Sequence, residues 1–440
     1  MKRNRKKLTA AAVFICVLGL NITPVLAADS TQTDYSVSKL YAASSKPLLT
    51  LDKAIEEAVD NSDVLKLDKK KIYYQSQTDA VNEDLEDFND VDGDLEDYKD
   101  DSRDIAMKKL RQQKEFDEDI VVQKTTKAYN SIVTSQMKID KAAKELDIKS
   151  QELGYIKIKE SLGMVTTTDM MSKELEIENL ENAQKSSENA LKDLEYSFEV
   201  LTGLDITDYS LQQDIEMKKF NTSKDMDDYL DDVIDRYLKY SEQMVELNQD
   251  YYDDEDNYIT LSSSSSAKFK IKDLSSSDLE DYKDAIAEAK NNIADKTNID
   301  TDFESYKKYL DSYNNYTGAV SAYTAALSAR LTYLNTRLGV YENETSLKES
   351  KKAFKEQLRT LYTNLITTED NINYLKKCID LNKKKVSDAK LKYDLGLITK
   401  ANYDALVAGS ADLDLQLRNA VETYNTLKTE IEKPWIAFSN

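Results

Sequence analysis

Two related segments decide the fold: KESLGMVTTTDMMSKE at residues 159–174 and KYDLGLITKANYDALV at residues 392–407. The chain has only nine glycines in 440 residues, and one stands inside each segment. In both, a leucine ends a predicted helix, and the glycine that follows can adopt the left-handed conformation that side chains resist. A threonine three residues after the glycine can then cap the next helix. We therefore predict that both segments are tips of helical hairpins.

The tip residues fall into turns and caps. The predicted turns are Leu162, Gly163 and Met164 in the first tip and Leu395, Gly396 and Leu397 in the second. The predicted helix caps are Thr166 and Asp169 in the first tip and Thr399 and Asn402 in the second. Asp169 stands three residues after Thr166, as in a capping box. A turn that only reverses the chain would explain both segments, so it remains open whether the tips also bind a partner.

The tips belong to an internal repeat. Matched pairs at a constant offset of 233 residues include Tyr129 with Tyr362, Ile139 with Ile372 and Asp147 with Asp380, and upstream, at an offset of 179, Leu51 matches Leu230. The heptapeptide DLEDYKD also occurs twice, at 94–100 and 278–284. We predict two homologous halves, at residues 49–220 and 221–440.

The distribution of proline and glycine predicts an all-α fold. No proline lies between Pro47 and Pro434, and the turn residues that a large β domain would need are absent. Each half should contain a first helix, an acidic connector, a long helix, a glycine-containing break and a return helix. The long helix of the first half should run from about Asp104 to Leu162, roughly 88 Å at 1.5 Å per residue. The expected architecture is long antiparallel coiled-coil hairpins, with a flexible, acidic, serine-rich loop at about 250–278.

The N-terminus has the features of an export signal. Basic residues precede an apolar run and a Val-Leu-Ala cleavage pattern, which predicts a signal peptide at 1–27 and a linker at 28–48. A retained membrane anchor is the alternative, but Asn21, Thr23 and Pro24 interrupt the run. Cys16 lies inside the signal, and no small residue that lipidation would need precedes it.

Composition excludes several classes of function. Removal of the five basic residues of the signal takes the formal net charge from −22 to −27, a field that repels nucleic acid. The absence of histidine excludes histidine-dependent nucleophilic catalysis and histidine-containing zinc sites. Cys378 is expected to be a packing residue and Trp435 a packing anchor. We predict no catalytic, cofactor or metal site, and no enzyme.

The two halves, the opening LTLDKAIEEAVDNSDVL at 49–65 and the tip phrases resemble the TolC-like outer membrane efflux protein family. The resemblance covers most of the mature chain. It implies a homotrimer of elongated protomers whose helices form a hollow helical barrel. It also implies that the tips dock a membrane-fusion adaptor, which links the barrel to an inner-membrane transporter of the ABC or RND type. An aspartate commonly follows the tip glycine by six residues in that family; Asp169 fits and Asn402 departs.

A larger departure concerns the family's membrane strands, which need about 9 to 11 residues of alternating apolar character. Residues 82–101 are too acidic to face lipid, and residues 250–278 offer only short apolar runs. The expected protomer therefore has little or no β-barrel. The resemblance implies an exported component of an efflux system, in the cell envelope or at the cell surface, with an outer-membrane or periplasmic place only in a diderm organism. An extracellular coiled-coil scaffold without channel activity is the alternative.

Overall fold

The computed structural model describes residues 46–91, 93–253, 261–262, 268–269, 276–293 and 303–438. The predicted signal peptide, most of the predicted linker and most of the serine-rich loop lie outside the described residues. Among the helices of the described ranges, none has a stretch that is both long and apolar enough to cross a membrane.

The described elements are almost entirely helical, which confirms the predicted all-α fold of long antiparallel hairpins. The first half contains β1 (Leu48–Leu49), α1 (Leu51–Asn61), α2 (Asp63–Phe88), α3 (Asp94–Ser161), α4 (Thr167–Thr202), a 3-10 turn (Ile206–Asp208) and β2 (Ser210–Leu211). The second half contains α5 (Met226–Asp253), β3 (Leu261–Ser262), β4 (Lys268–Phe269), α6 (Ser276–Asn291), α7 (Phe303–Asp394), α8 (Lys400–Glu432) and α9 (Pro434–Phe438). Strand β1 pairs in parallel with β2, and β3 pairs antiparallel with β4.

The long helix α3 begins at Asp94, about ten residues earlier than predicted, and most of the predicted acidic connector is helical. Acidic side chains suit the first turn of α3, because the helix dipole is positive there. Arg103 Nη1 donates to Glu86 Oε2 of α2 at 2.6 Å, and Lys99 Nζ lies 3.3 Å from Glu86 Oε1. Glu86 of the acidic segment is thus paired with two basic residues of α3, and α2 continues to Phe88 before α3 begins at Asp94.

Each half ties its short N-terminal segment to its hairpin with a tyrosine hydroxyl. In the first half, Tyr129 donates to the carbonyl oxygen of Leu49 at 2.7 Å and accepts from the Gln212 N–H at 2.8 Å. In the second half, Tyr424 accepts at 3.0 Å from the N–H of Phe220, the residue that directly precedes that half. The repeat aligns Tyr129 of α3 with Tyr362 of α7, whereas Tyr424 lies in α8. The tyrosine that bonds the preceding segment therefore comes from non-equivalent helices in the two halves.

Buried polar contacts join helix α8 of the second half to helix α3 of the first. Arg418, which is only 5% exposed, donates from Nη2 to Asn130 Oδ1 at 2.9 Å and from Nη1 to the carbonyl oxygen of Gln213. A buried guanidinium needs such acceptors, because its charge cannot be neutralised by loss of a proton. These contacts fix the position of one hairpin against the other.

Helix α9 fastens the end of the second half onto α3. The Trp435 ring stacks on Phe116 with centroids 4.1 Å apart, and its Nε1 donates to Asp119 Oδ2 at 3.0 Å. Lys433 Nζ lies 2.6 Å from the other oxygen of the same carboxylate. The predicted role of Trp435 as a packing anchor is confirmed, and Cys378 is buried in the core of the second half, as predicted.

Helix α7 extends beyond helices α3 and α5 at the end opposite the tips. Tyr98, near the start of α3, stacks on Tyr251, near the end of α5, with centroids 4.1 Å apart. Arg337 of α7 donates to the carbonyl oxygen of Tyr252 at 2.9 Å. The start of α3 is therefore level with about residue 337 of α7. The preceding 34 residues, 303–336, project roughly 51 Å further.

The two DLEDYKD copies occupy different elements at this end of the rod. The first copy begins α3, whereas the second lies in α6, a separate helix that packs along the projecting part of α7. The ring of Tyr282 in this copy lies 6.4 Å from the ring of Tyr323 in α7. The identical heptapeptides are therefore not structural equivalents, and the two halves differ at this end.

The α9 anchor generates a first prediction, for the variant Phe116→Ala. Loss of the ring should lower the free energy of unfolding by about 3 kcal/mol, because a buried phenylalanine leaves a cavity. Trp435 is the sole tryptophan, so its fluorescence emission should shift to longer wavelength as water reaches it. Denaturant unfolding and emission spectra measure both effects. Phe88→Ala is the control, since Phe88 is 83% exposed; equal behaviour of the two variants would contradict the anchor.

Candidate functional site

The first hairpin tip follows the end of α3. Gly163 has a φ of 72°, and its N–H donates to the carbonyl oxygen of Glu160 at 2.8 Å. The next N–H, that of Met164, donates to the carbonyl oxygen of Lys159 at 2.8 Å. These two bonds form a Schellman motif, in which a left-handed residue ends a helix and satisfies two of its last carbonyl groups.

The second tip repeats this geometry after α7. Gly396 has a φ of 70°, and its N–H donates to the carbonyl oxygen of Tyr393 at 2.9 Å. The Leu397 N–H donates to the carbonyl oxygen of Lys392 at 2.8 Å. Both tips are therefore fixed turns with the same backbone bonding. A Cβ atom added to either glycine would meet no other atom within 4 Å.

The helix caps of the two tips differ in one respect. In the first tip, Thr166 Oγ1 accepts from the Asp169 N–H at 3.1 Å, and Asp169 Oδ2 accepts from the Thr166 N–H at 3.1 Å, which completes a capping box. In the second tip, Thr399 Oγ1 accepts from the Asn402 N–H at 3.2 Å. The start of α4 thus carries a charged cap, whereas that of α8 carries a neutral one.

Large apolar side chains stand in solvent at both turns. Leu162 and Met164 are each 68% exposed, Leu395 is 64% exposed and Leu397 is 70% exposed. The valine and isoleucine that follow, Val165 and Ile398, are half-buried. The turns therefore present two apolar side chains each, on a backbone held by hydrogen bonds.

The two tips lie at different heights along the rod. Lys400 Nζ, one helical turn beyond Gly396, donates to Gln151 Oε1 of α3 at 3.4 Å. Gln151 is three turns before Gly163. The difference of eight residues corresponds to roughly 12 Å, so the first tip projects beyond the second.

The apolar surface at the first tip is also larger, a feature that the sequence reasoning missed. Exposed apolar side chains continue down both of its helices; they are Tyr155, Ile158, Met171 and Leu175. On α3 they stand four and seven residues before Leu162, a helical spacing that could have been read from the sequence. At the second tip, the rings of Tyr393 and Tyr403 stack on each other with centroids 5.6 Å apart. The first tip therefore offers the broader apolar surface.

These elements define an elongated, all-α protein of two tandem hairpins, and its structure is similar to solved structures of bacterial membrane proteins. A membrane protein from Pseudomonas aeruginosa matches at 11% identity and a TM-score of 0.49, over 93% of this chain and 97% of that chain. The CmeC outer membrane channel of Campylobacter jejuni matches at 12% identity and a TM-score of 0.40, over 88% and 85%. The MtrE outer membrane channel of Neisseria gonorrhoeae, in its open state, matches at 11% identity and a TM-score of 0.42, over 93% and 95%.

No family model and no curated protein matches this chain in sequence. At these identities and TM-scores, the structural similarity concerns the general fold and identifies none of the residues of the tips.

The turn geometry generates a second prediction, made with one chemical change at two glycines. Gly163→Ala should lower the free energy of unfolding by about 1 kcal/mol, because a side chain in the left-handed conformation costs roughly that amount. Gly154→Ala is the matched control, since Gly154 lies inside α3 in open space. Alanine there should raise stability by roughly 0.5 to 1 kcal/mol. Denaturant unfolding measures both changes, and equal signs would contradict the assigned turn.

The charged cap generates a third prediction, on pH. The hydrogen bond from the Thr166 hydroxyl, and then that from the Thr166 N–H, lower the pKa of the Asp169 carboxyl. Because the folded-state pKa is lowered, the cap's contribution to stability is present at neutral pH and is lost as the pH falls through that pKa. Amides in the first turn of α4 should then lose protection from hydrogen exchange, below about pH 4.

The second tip serves as the internal reference for this measurement, because Asn402 does not titrate. Hydrogen–deuterium exchange rates, corrected for intrinsic rates, are compared between the two tips as the pH is lowered. In the native chain the first tip should lose protection relative to the second, and in the variant Asp169→Asn the two tips should respond alike. Parallel acid responses of both tips in the native chain would show that the charged cap has no such role.

Proposed function

We propose that this protein is an exported component of an efflux or export system. In this proposal, copies of the chain form an oligomeric helical conduit or rod, most simply a homotrimer, in the cell envelope. Its hairpin tips dock a membrane-fusion adaptor that serves an inner-membrane transporter of the ABC or RND type. The docking residues are Leu162, Gly163 and Met164 in the first tip and Leu395, Gly396 and Leu397 in the second.

The observation that carries the proposal is the pairing of a rigid turn with exposed apolar side chains at both tips. A hairpin that only reverses the chain needs the glycine and the cap, and it gains nothing from a large apolar side chain on either side of the glycine. Clustered apolar side chains on a fixed backbone can bind a partner with little loss of conformational entropy. The tips therefore have the properties of a docking surface.

The stagger of the tips refines the proposed contact. With a difference of roughly 12 Å in height, the four apolar side chains do not form one flat ring. An adaptor that contacts both tips of one protomer must present two surfaces at different heights. The first tip, with the larger apolar surface and the additional exposed side chains on α3 and α4, is the expected principal contact.

The side chains on the turns generate a fourth prediction, for the double variant Met164→Ser, Leu397→Ser. Both residues are exposed, so the change should leave helicity and thermal unfolding nearly unaltered. It should abolish the capture of the purified membrane-fusion adaptor of the same organism, because the apolar contact is removed. A pull-down and an export assay, beside circular dichroism of the same variant, make the measurement.

The matched control is the double variant Val200→Ser, Leu381→Ser, which removes exposed apolar side chains from helices α4 and α7 away from the tips. It should bind the adaptor as the native chain does. If the tip variant folds and binds normally, the tips are turns only, and the extracellular coiled-coil scaffold becomes the better account of the protein.

A further inference from the structure

The projecting part of α7 carries a stripe of exposed apolar side chains. One part of the stripe consists of four leucines and a tyrosine, each between 40% and 61% exposed: Leu327, Leu331, Leu334, Leu338 and Tyr341. The side of the helix that faces the remainder of the chain lies about 100° around from this stripe; Ala326 and Val340 on that side, for example, are buried. We call residues 306–341 the α7 seam.

The spacing in the seam is that of a coiled coil. Apolar side chains alternate at intervals of four and three, and upstream the series continues with Val320, Tyr313, Leu310 and Tyr306, interrupted only by threonine at positions 317 and 324. In heptad terms, Leu331 and Leu338 occupy a, whereas Leu327, Leu334 and Tyr341 occupy d. An apolar stripe with a strict seven-residue period winds slowly around a straight α-helix. Such a stripe stays in contact with a second helix over several heptads only if the two helices supercoil around each other.

The charge pattern indicates what that partner is. The chain has 82 acidic residues, yet residues 312–341 contain no aspartate or glutamate. In a protein with a formal net charge of −22, copies repel one another over most of their surface. Residues 312–341 of the seam therefore form a stretch of α7 along which a second copy can approach without the acidic side chains of the two α7 helices meeting.

The flanking positions also select an orientation. Arg330 and Arg337 both occupy g, and antiparallel coiled coils bring g towards g, so an antiparallel pairing of the leucines would oppose these arginines. A parallel, in-register pairing brings g towards the e position five residues later. There Arg337, which also pairs with Asp253 of α5 in its own protomer, faces Glu342, and Arg330 faces the neutral Asn335. The parallel arrangement therefore has one complementary pair and no like-charge pair among these residues.

We propose that the α7 seam is a self-association surface, which forms a parallel, in-register coiled coil with the same helix of other copies of this chain. The occupant is a second copy, because the leucine stripe and its flanking charges are complementary to themselves in that register. The seam gives the proposed oligomer a contact at the end of the rod opposite the tips. This inference rests on the self-association proposed above, and it is independent of whether the tips dock an adaptor.

Cysteine cross-linking of the full chain tests the seam directly. In a background where Cys16 and Cys378 are serine, Leu334→Cys places a thiol at a d position, where parallel partners come close. Thr332→Cys is the matched control, because it is also exposed but lies at b, away from the seam. With a short bis-maleimide linker, Leu334→Cys should give a predominant covalent dimer on denaturing gels. Thr332→Cys should remain monomeric, while both retain native circular dichroism.

Light scattering of the same samples separates the possible failures. If neither variant cross-links and the mass is that of an oligomer, copies associate through another surface, so the seam is overturned while the proposed oligomer survives. If neither cross-links and the chain is monomeric, both the seam and the proposed oligomer are overturned. Equal cross-linking of the two variants would mean random collision, which also overturns an in-register seam. None of these results depends on adaptor binding at the tips.

Discussion

A helix of 92 residues cannot be enclosed by the rest of a 440-residue chain. At 1.5 Å per residue, α7 extends about 138 Å, whereas a compact domain of this length has a radius of gyration of about 22 Å. The helices can therefore only lie side by side, and each buries a stripe rather than its whole circumference. Accordingly, the buried residues form separate clusters along the rod: one in each half and one around Trp435.

This constraint also explains why the turns differ in chemistry from the helices. A side-by-side hairpin must reverse the chain within a few residues, so the carbonyl groups at the end of one helix need donors immediately. At the two tips, the left-handed glycine supplies them through a Schellman motif, and a threonine starts the return helix. At the other end of the first half, where α2 is followed by α3, Asp90 and Gly93 have a positive φ. Packing stabilises the helices, whereas local chemistry fixes the turns.

For that reason, the sequence predicts the tips well and the arrangement of the helices poorly. Leu-Gly followed by a threonine is a local pattern whose geometry depends on few other residues. The start of α3 was predicted too late, because acidic density suggests a connector unless the pairing of Glu86 with Lys99 and Arg103 is known. The contact between Asn130 and Arg418 spans 288 residues, and no local pattern announces it. The stagger of the tips follows from such contacts, and so it was not predictable.

The distribution of acidic residues connects these observations to assembly. Many acidic side chains are neutralised within the chain by lysines and arginines on adjacent helices, as where α5 meets α7 at Asp231 with Lys355 and Asp235 with Lys351. Residues 312–341 of the seam carry no acidic side chain, their Arg337 pairs with Asp253 of α5, and the turns of the tips expose apolar side chains. Along α7, Leu334 of the seam and Gly396 of the second tip are separated by 62 residues, roughly 93 Å. Residues so far apart, with no shared contacts, behave independently. The proposed self-association at one end and the proposed docking at the other can therefore be altered separately, which a compact protein with overlapping surfaces would not allow.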